Sequence, residues 1–185
     1  MDVLIERCAG LDVHRDTVVA TVRRPGPGGV RRSETRTFTT MTGQLEALAD
    51  WLAAQQVTLV GMESTGIYWK PVYGVLEDHF PVWVINAEHL RNVPGRKTDV
   101  ADSMWIAQLI EHGLVSPSFV PPRHVRLLRD LTRHGRRLTE ERTRTIQRLE
   151  KVLQDAGIKL TSVASTILGK TGRAILAALL GGEED

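Results

Sequence analysis

Cysteine is nearly absent from this chain of 185 residues, with Cys8 the only one. A single thiol excludes an internal disulfide and a thiolate zinc site. It lies in an apolar segment, which favours a buried thiol over a reactive one. No apolar run approaches the ~18 residues of a membrane span, and no basic and apolar leader opens the chain. A cytoplasmic protein with no membrane partner is therefore expected. The six histidines show no metal-ligand spacing. The glycine-rich stretch Gly26–Gly29 is followed neither by a helix nor by Lys-Ser/Thr, so it is no phosphate loop. No internal repeat is present.

Hydrophobic residues make up 42% and charged residues 25% of the chain, an ordinary globular balance that argues against wholesale disorder. Net charge is only +2, and its distribution says more than its sum. Residues 1–120 hold 11 Lys and Arg against 14 Asp and Glu, whereas residues 121–185 hold 13 against 8. An acid-lined first part joined to a basic second part is expected of a metal-dependent nucleic-acid protein. An Arg-rich but merely solvated helix is the plainer alternative.

Four acids carry the chemical argument: Asp12 in CAGLDVHRD, Glu63 in LVGMESTG, and Asp99 with Asp102 in KTDVAD. The first two each close a short apolar run. The last two sit three residues apart at the start of a helical stretch, which puts them on one face. Carboxylates from two strand ends and one helix can converge on a point, and converging carboxylates repel unless a cation lies between them. Mg²⁺ prefers such hard oxygen ligands, with Mn²⁺ able to substitute, and two ions ~4 Å apart can run phosphodiester transfer. Each acid also has a plain structural role. Asp12 can close an Asx-turn with His14 or Arg15, Glu63 can accept from amides of the next helix, and Thr98 or Asp99 can cap a helix. Lys70, Arg96 and Lys97 lie beside the acidic motifs and can meet phosphate. Tyr68 and Trp69 can stack on a base near Glu63, although two aromatics early in a helix are more often core. Among the later arginines, Arg133, Arg136, Arg137 and Arg144 can track a nucleic-acid backbone.

The pattern predicts a mixed α/β sheet. Cys8–Val13, Thr17–Val22 and Glu34–Thr39 read as an antiparallel meander, with His14–Asp16 and the Pro-Gly segment as turns. A helix over 43–56, capped by Thr42, places Leu45, Leu48, Trp51 and Leu52 on one face. Strands over 58–62 and 82–85 flank a helix running from about Gly66 to His79. A polar loop over 86–97 leads to a helix over 99–112. Residues 116–122 form a proline-rich linker between a domain over 1–115 and a basic helical segment over 123–185. In that segment Leu128, Leu131, Gly135, Leu138, Arg142, Thr145, Leu149 and Val152 mark an imperfect seam, read as a helical hairpin or coiled-coil stripe. Gly157 stops it, and a last helix is expected over 160–180.

These segments resemble an insertion-sequence transposase family with an Asp-Glu-Asp-Asp motif, family one-ten, which also contains the pilin-gene invertases. The resemblance rests on GLDVHRD (Gly10–Asp16), ESTGIYW (Glu63–Trp69), VINAEHLRNVPGRKTDVADS (Val84–Ser103) and the IAQLIEHGLV run that follows, and extends over nearly all of residues 8–160. It implies a RuvC-like, RNase H-type fold for the first domain, with Asp12, Glu63, Asp99 and Asp102 binding Mg²⁺. It also implies DNA as substrate, Mg²⁺-dependent strand transfer, and homo-oligomers formed through the helical segment. Some relatives are directed by a structured noncoding RNA, which extends the expected partners to a guide RNA. Relatives run on into a domain bearing a serine nucleophile, and neither Ser162 nor Ser165 resembles that serine. The expectation is therefore an acidic-site part that needs a serine domain. The alternatives are a RuvC-like nuclease, in which metal-activated water attacks, and a non-catalytic nucleic-acid-binding or oligomerisation module.

Overall fold

The computed structural model describes residues 2–64, 66–86, 88, 90 and 102–182. The chain divides into two compact units, Met1–Val120 and Pro121–Asp185. In the first, five strands form one sheet: β1 (Cys8–Val13), β2 (Thr17–Pro25), β3 (Arg31–Thr39), β4 (Leu59–Glu63) and β5 (Val82–Ile85). Their spatial order is β3-β2-β1-β4-β5. β1, β2 and β3 are antiparallel neighbours, while β4 runs parallel to β1 and β5 parallel to β4. The helices of this unit are α1 (Thr42–Ala54), α2 (Trp69–Leu76) and α3 (Asp102–Glu111).

Strand side chains alternate between the faces of a sheet, and that period sorts the core. Ala9, Leu11 and Val13 of β1, with Val60 and Met62 of β4, join Leu45, Leu48 and Leu52 of α1 and Val72 and Leu76 of α2. Cys8, Leu59 and Ile85 turn the other way and join Ile106, Leu109 and Ile110 of α3. Asp12 and Glu63 continue the α3-facing series, through Cys8–Gly10–Asp12 and Leu59–Gly61–Glu63. Gly10 pairs with Gly61 across the parallel ladder, so the two acids lie side by side at its end. The glycines are required here. A Cβ on Gly10 would lie 2.2 Å from the Ser103 carbonyl oxygen and 2.4 Å from the Ala107 amide nitrogen. One on Gly61 would lie 2.1 Å from Ile110 Cδ1. Helix α3 therefore rests directly on the backbone of β1.

Most expected elements are present, with shifted ends. β2 and β3 extend past the expected strands because their extra residues, Arg23–Pro25 and Arg31–Ser33, pair with each other. Helix α1 starts at Thr42 with Met41 as its cap residue, so Thr42 is helical and is not the cap. Helix α2 starts at Trp69, three residues later than expected, because Gly66 takes a left-handed φ of 59°. Within the expected polar loop, Glu88 and Leu90 are helical. The Asn86 side chain accepts from the Glu88 amide, a capping bond, and Leu90 is buried. Asp99, Arg96 and Lys97 lie outside the described residues.

In the second unit, α4 (Arg123–Asp155) is one unbroken helix of 33 residues, which excludes a hairpin within it. Gly135 lies within this helix with open space where a side chain would stand. Gly157 ends this segment at φ 80°. The expected last helix is shorter, α5 (Lys170–Gly181), preceded by a 3₁₀ turn over Leu160–Ser162. β-branched Val163, Thr166 and Ile167 favour extended backbone there, and the chain folds back so tightly that a Cβ on Gly172 would lie 2.2 Å from the Ile167 carbonyl. Leu160, Ala164 and Ile167 make a small core with Leu149 and Leu153 of α4 and Ile175 and Leu176 of α5. Among the described residues, no helix is long and apolar enough to cross a membrane.

Gly10→Ala is expected to destabilise the protein by about 1–3 kcal/mol or to prevent folding, because two packed backbones would have to separate. Gly74→Ala on α2, where nothing lies within 4 Å of the added carbon, is expected to be neutral or to gain about 0.5–1 kcal/mol. Denaturant unfolding of the two variants measures the contrast.

Candidate active site

Three of the four predicted acids come from the elements just described. Asp12 is the penultimate residue of β1, Glu63 the last of β4, and Asp102 the first of α3. Burial is the main cause that raises the Asp12 carboxyl above the ordinary aspartate range. The negative charges of Asp102 and Glu63 raise it further, while His14 pulls it down. Two other carboxylates thus act on Asp12 at the sheet end. Asp99 falls outside the described residues, and among the described residues no group of three or more His, Cys, Asp or Glu side chains could hold a metal ion. What the arrangement supplies is a half-buried anionic corner of hard oxygen donors, a chemistry suited to a hard cation.

His14 is the residue sequence reasoning passed over. Its Nε2 lies 3.1 Å from Asp12 Oδ2, with the imidazole 60% and the carboxylate 22% exposed. The Asx-turn weighed as a plain role for Asp12 gives way to a turn in which the His14 amide donates to the Thr17 carbonyl, and the Asp12 side chain meets the imidazole. The only signal for this was the two-residue spacing across a strand end.

The placement of Asp102 depends on what fastens α3. The Ser103 hydroxyl hydrogen-bonds Thr21 at 2.8 Å, and Thr21 in turn meets Thr35, so α3, β2 and β3 share one chain of hydroxyls. The Cys8 thiol donates to the Ala107 carbonyl at 3.3 Å. Burial first, and then the nearby Glu111 charge, push the Cys8 thiol up to about 12, which keeps it protonated and unreactive as expected. At the other end of α3, Glu111 is fully buried and ion-paired with Arg23 and Arg31.

The basic candidates are dispersed. Lys70 is exposed in the first turn of α2, on the element that follows Glu63. Arg133, Arg136, Arg137 and Arg144 are all exposed on α4, in the second unit, and Arg136 pairs with Glu140 at 2.9 Å. Tyr68 is 44% exposed, whereas Trp69 packs edge-on against Tyr73 beside the core.

A five-stranded sheet in the order 3-2-1-4-5, antiparallel through its first three strands and carrying acids at the ends of β1 and β4, defines an α/β protein of the RNase H-like class. The chain belongs to the DEDD_Tnp_IS110 family of transposases, whose model matches residues 9–158, and it is a DNA-processing enzyme by that membership. None of the curated proteins compared with it matches. Among solved structures, it is similar to RuvC of Thermus thermophilus at TM-score 0.43 and 13% identity, covering 60% of this chain and 99% of that one. The same values hold for T. thermophilus RuvC in complex with Holliday junction substrate, with 61% of this chain covered. A Fowlpox virus resolvase with Holliday junction DNA is similar at TM-score 0.41 and 10% identity, over 57% of this chain and 99% of that one.

Because folding raises the Asp12 carboxyl, the folded state holds that proton more tightly than the unfolded state. Stability therefore falls as pH climbs from the ordinary aspartate range, about 4, through the raised value. Asp12→Asn is expected to raise the metal-free melting temperature at neutral pH, with the gain fading below about pH 4 where Asp12 is protonated in both states. Thermal unfolding of both proteins across that range checks it.

Proposed function

We propose that Asp12, Glu63 and Asp102, together with Asp99, hold Mg²⁺ and that this chain carries the acidic site of a transposase that cuts and joins DNA. The observation that carries the reading is the electrostatic convergence on Asp12, which is raised by two other carboxylates as well as by burial. An unneutralised cluster of that kind destabilises its own fold, and a divalent cation removes the penalty. Bound there, the metal would supply Lewis acidity at a phosphodiester oxygen. The chain's own residues do the rest. The carboxylates fix where the scissile phosphate is held, His14 orients the Asp12 carboxylate, and Lys70, Arg96 and Lys97 neutralise phosphates beside it. Strand exchange then uses a serine nucleophile carried by a further domain, as the family resemblance implies.

The second unit serves the nucleic acid and the assembly. At about 100° per residue, Arg126, Arg133, Arg137 and Arg144 fall on one line of α4 while Leu127, Leu131 and Leu138 fall on another. The arginine line suits a phosphate backbone, of DNA and of a structured guide RNA alike. The leucines are 59%, 68% and 52% exposed, and they supply a stripe for pairing with a second copy.

Mn²⁺ or Mg²⁺ is expected to raise the melting temperature of the wild-type chain, and Asp12→Asn to abolish the rise. No metal effect with or without DNA would sink the reading. Residues 1–185 assayed alone are expected to cut DNA little or not at all, whereas efficient metal-dependent cutting would favour a water-activating nuclease. Replacing Arg133 and Arg137 together by Ala is expected to reduce the salt dependence of duplex binding by about two in log–log slope. Titrations at several salt concentrations give that value.

A further inference from the structure

We infer that Glu111, gripped by Arg23 and Arg31, is a positioning residue that sets where Asp102 stands relative to Asp12. The inference rests on the acidic-site reading above. Glu111 is fully buried. One carboxylate oxygen, Oε2, accepts from Arg23 Nε at 2.8 Å and Nη2 at 2.7 Å. The other, Oε1, accepts from Nε and Nη2 of Arg31. Arg23 also reaches Met104 Sδ at 3.6 Å, within the first turn of α3, and Arg31 donates to the Glu6 carbonyl. His112 Nε2 stands 3.6 Å from Oε2. The Glu111 carbonyl accepts from the amides of Leu4 and Ile5.

Two arginines on adjacent strands, one on each oxygen, fix a carboxylate in direction as well as in distance. Arg23 pairs with Cys8 in the β1–β2 ladder, and Asp12 lies four residues further along β1, about 13 Å away. Asp102 lies nine residues before Glu111 on the same helix, also about 13 Å away. The clamp and the acid pair are thus opposite ends of one helix–strand contact, with Gly10 at its centre. Sliding or rotating α3 on β1 moves Asp102 and Glu111 together. The Thr21–Ser103 bond marks the depth, but a rotatable hydroxyl pair does not fix orientation, and the forked carboxylate does.

The test uses the full chain with Glu111→Gln, which keeps the volume and removes the charge, and Arg31→Lys, which keeps the charge and removes the fork. Arg31→Lys leaves Arg23 on the carboxylate and guards against a Glu111→Gln protein that fails to fold. Two quantities are read well below the melting temperature: Mn²⁺ affinity of the folded protein, and hydrogen exchange at the Ile106 and Ala107 amides, which report on the start of α3. The expected result is about tenfold weaker Mn²⁺ binding in Glu111→Gln, a smaller loss in Arg31→Lys, and faster exchange at Ile106 and Ala107 with no change at Leu48 or Leu52 in α1. Unchanged exchange at the start of α3, or an equal rise in α1 and α3, would overturn the inference, because the clamp would then contribute stability alone. Unchanged Mn²⁺ affinity in variants whose α3 exchange has risen would also overturn it. If the wild-type chain binds no Mn²⁺, the acidic-site reading fails separately, and the exchange pattern alone decides whether Glu111 positions α3.

Discussion

The close seat of α3 on β1 is the constraint on which the acidic corner depends. Helices ordinarily pack on sheets through two layers of side chains, but here Gly10 contributes none and the helix backbone lies against the strand. That approach lets a carboxylate at the first residue of α3 act on one at the penultimate residue of β1. It also makes the contact unforgiving, since neither a methyl group nor a small shift can be absorbed by side-chain motion. The surrounding polar groups follow from it. With helix and strand backbones so near, Thr21, Ser103, Cys8 and Arg23 must find partners in the same layer, and each does.

A buried ion pair is seldom a net source of stability, because desolvation offsets the Coulomb attraction. Removing one partner from such a pair nevertheless costs about 3–5 kcal/mol, since the other is left buried and uncompensated. The Arg23–Glu111–Arg31 cluster is better understood as a device for register than as glue. The hydrophobic contacts of Ile106, Leu109 and Ile110 hold α3 on the sheet, but apolar packing tolerates small slides. A forked carboxylate does not.

Local patterns were legible in the sequence, and long-range partnerships were not. β1 and β5 end where the apolar runs Cys8–Val13 and Val82–Ile85 end, and the strand order agrees with a meander followed by alternating strands and helices. Asp12, Glu63 and Asp102 could be singled out because each is a charge at the edge of an apolar segment. Glu111 gave no such sign: in IAQLIEHG it reads as a solvated acid on a helix, and its partners are 80 and 88 residues away. His14 had no metal-ligand spacing to set it apart, and only the turn geometry carries it back to Asp12. The last helix was expected too long because the β-branched residues that break the segment near Ile167 were not weighed. In the long basic segment, periodicity identified the helix and its apolar line, but seven-residue spacing cannot tell one long helix from two short ones.

Helix α4 has one further consequence. None of its 33 residues is buried, and only its last turns touch the small core around Leu160. Most helical stability in folded proteins comes from packing an apolar face, so this helix takes little from its own unit. Its rigidity is then a matter of mass action, increasing with the concentration of whatever covers Leu127, Leu131 and Leu138. Straightened, it spans about 50 Å, and in the pairing proposed above the distance between its two ends would become a property of the pair rather than of the single chain.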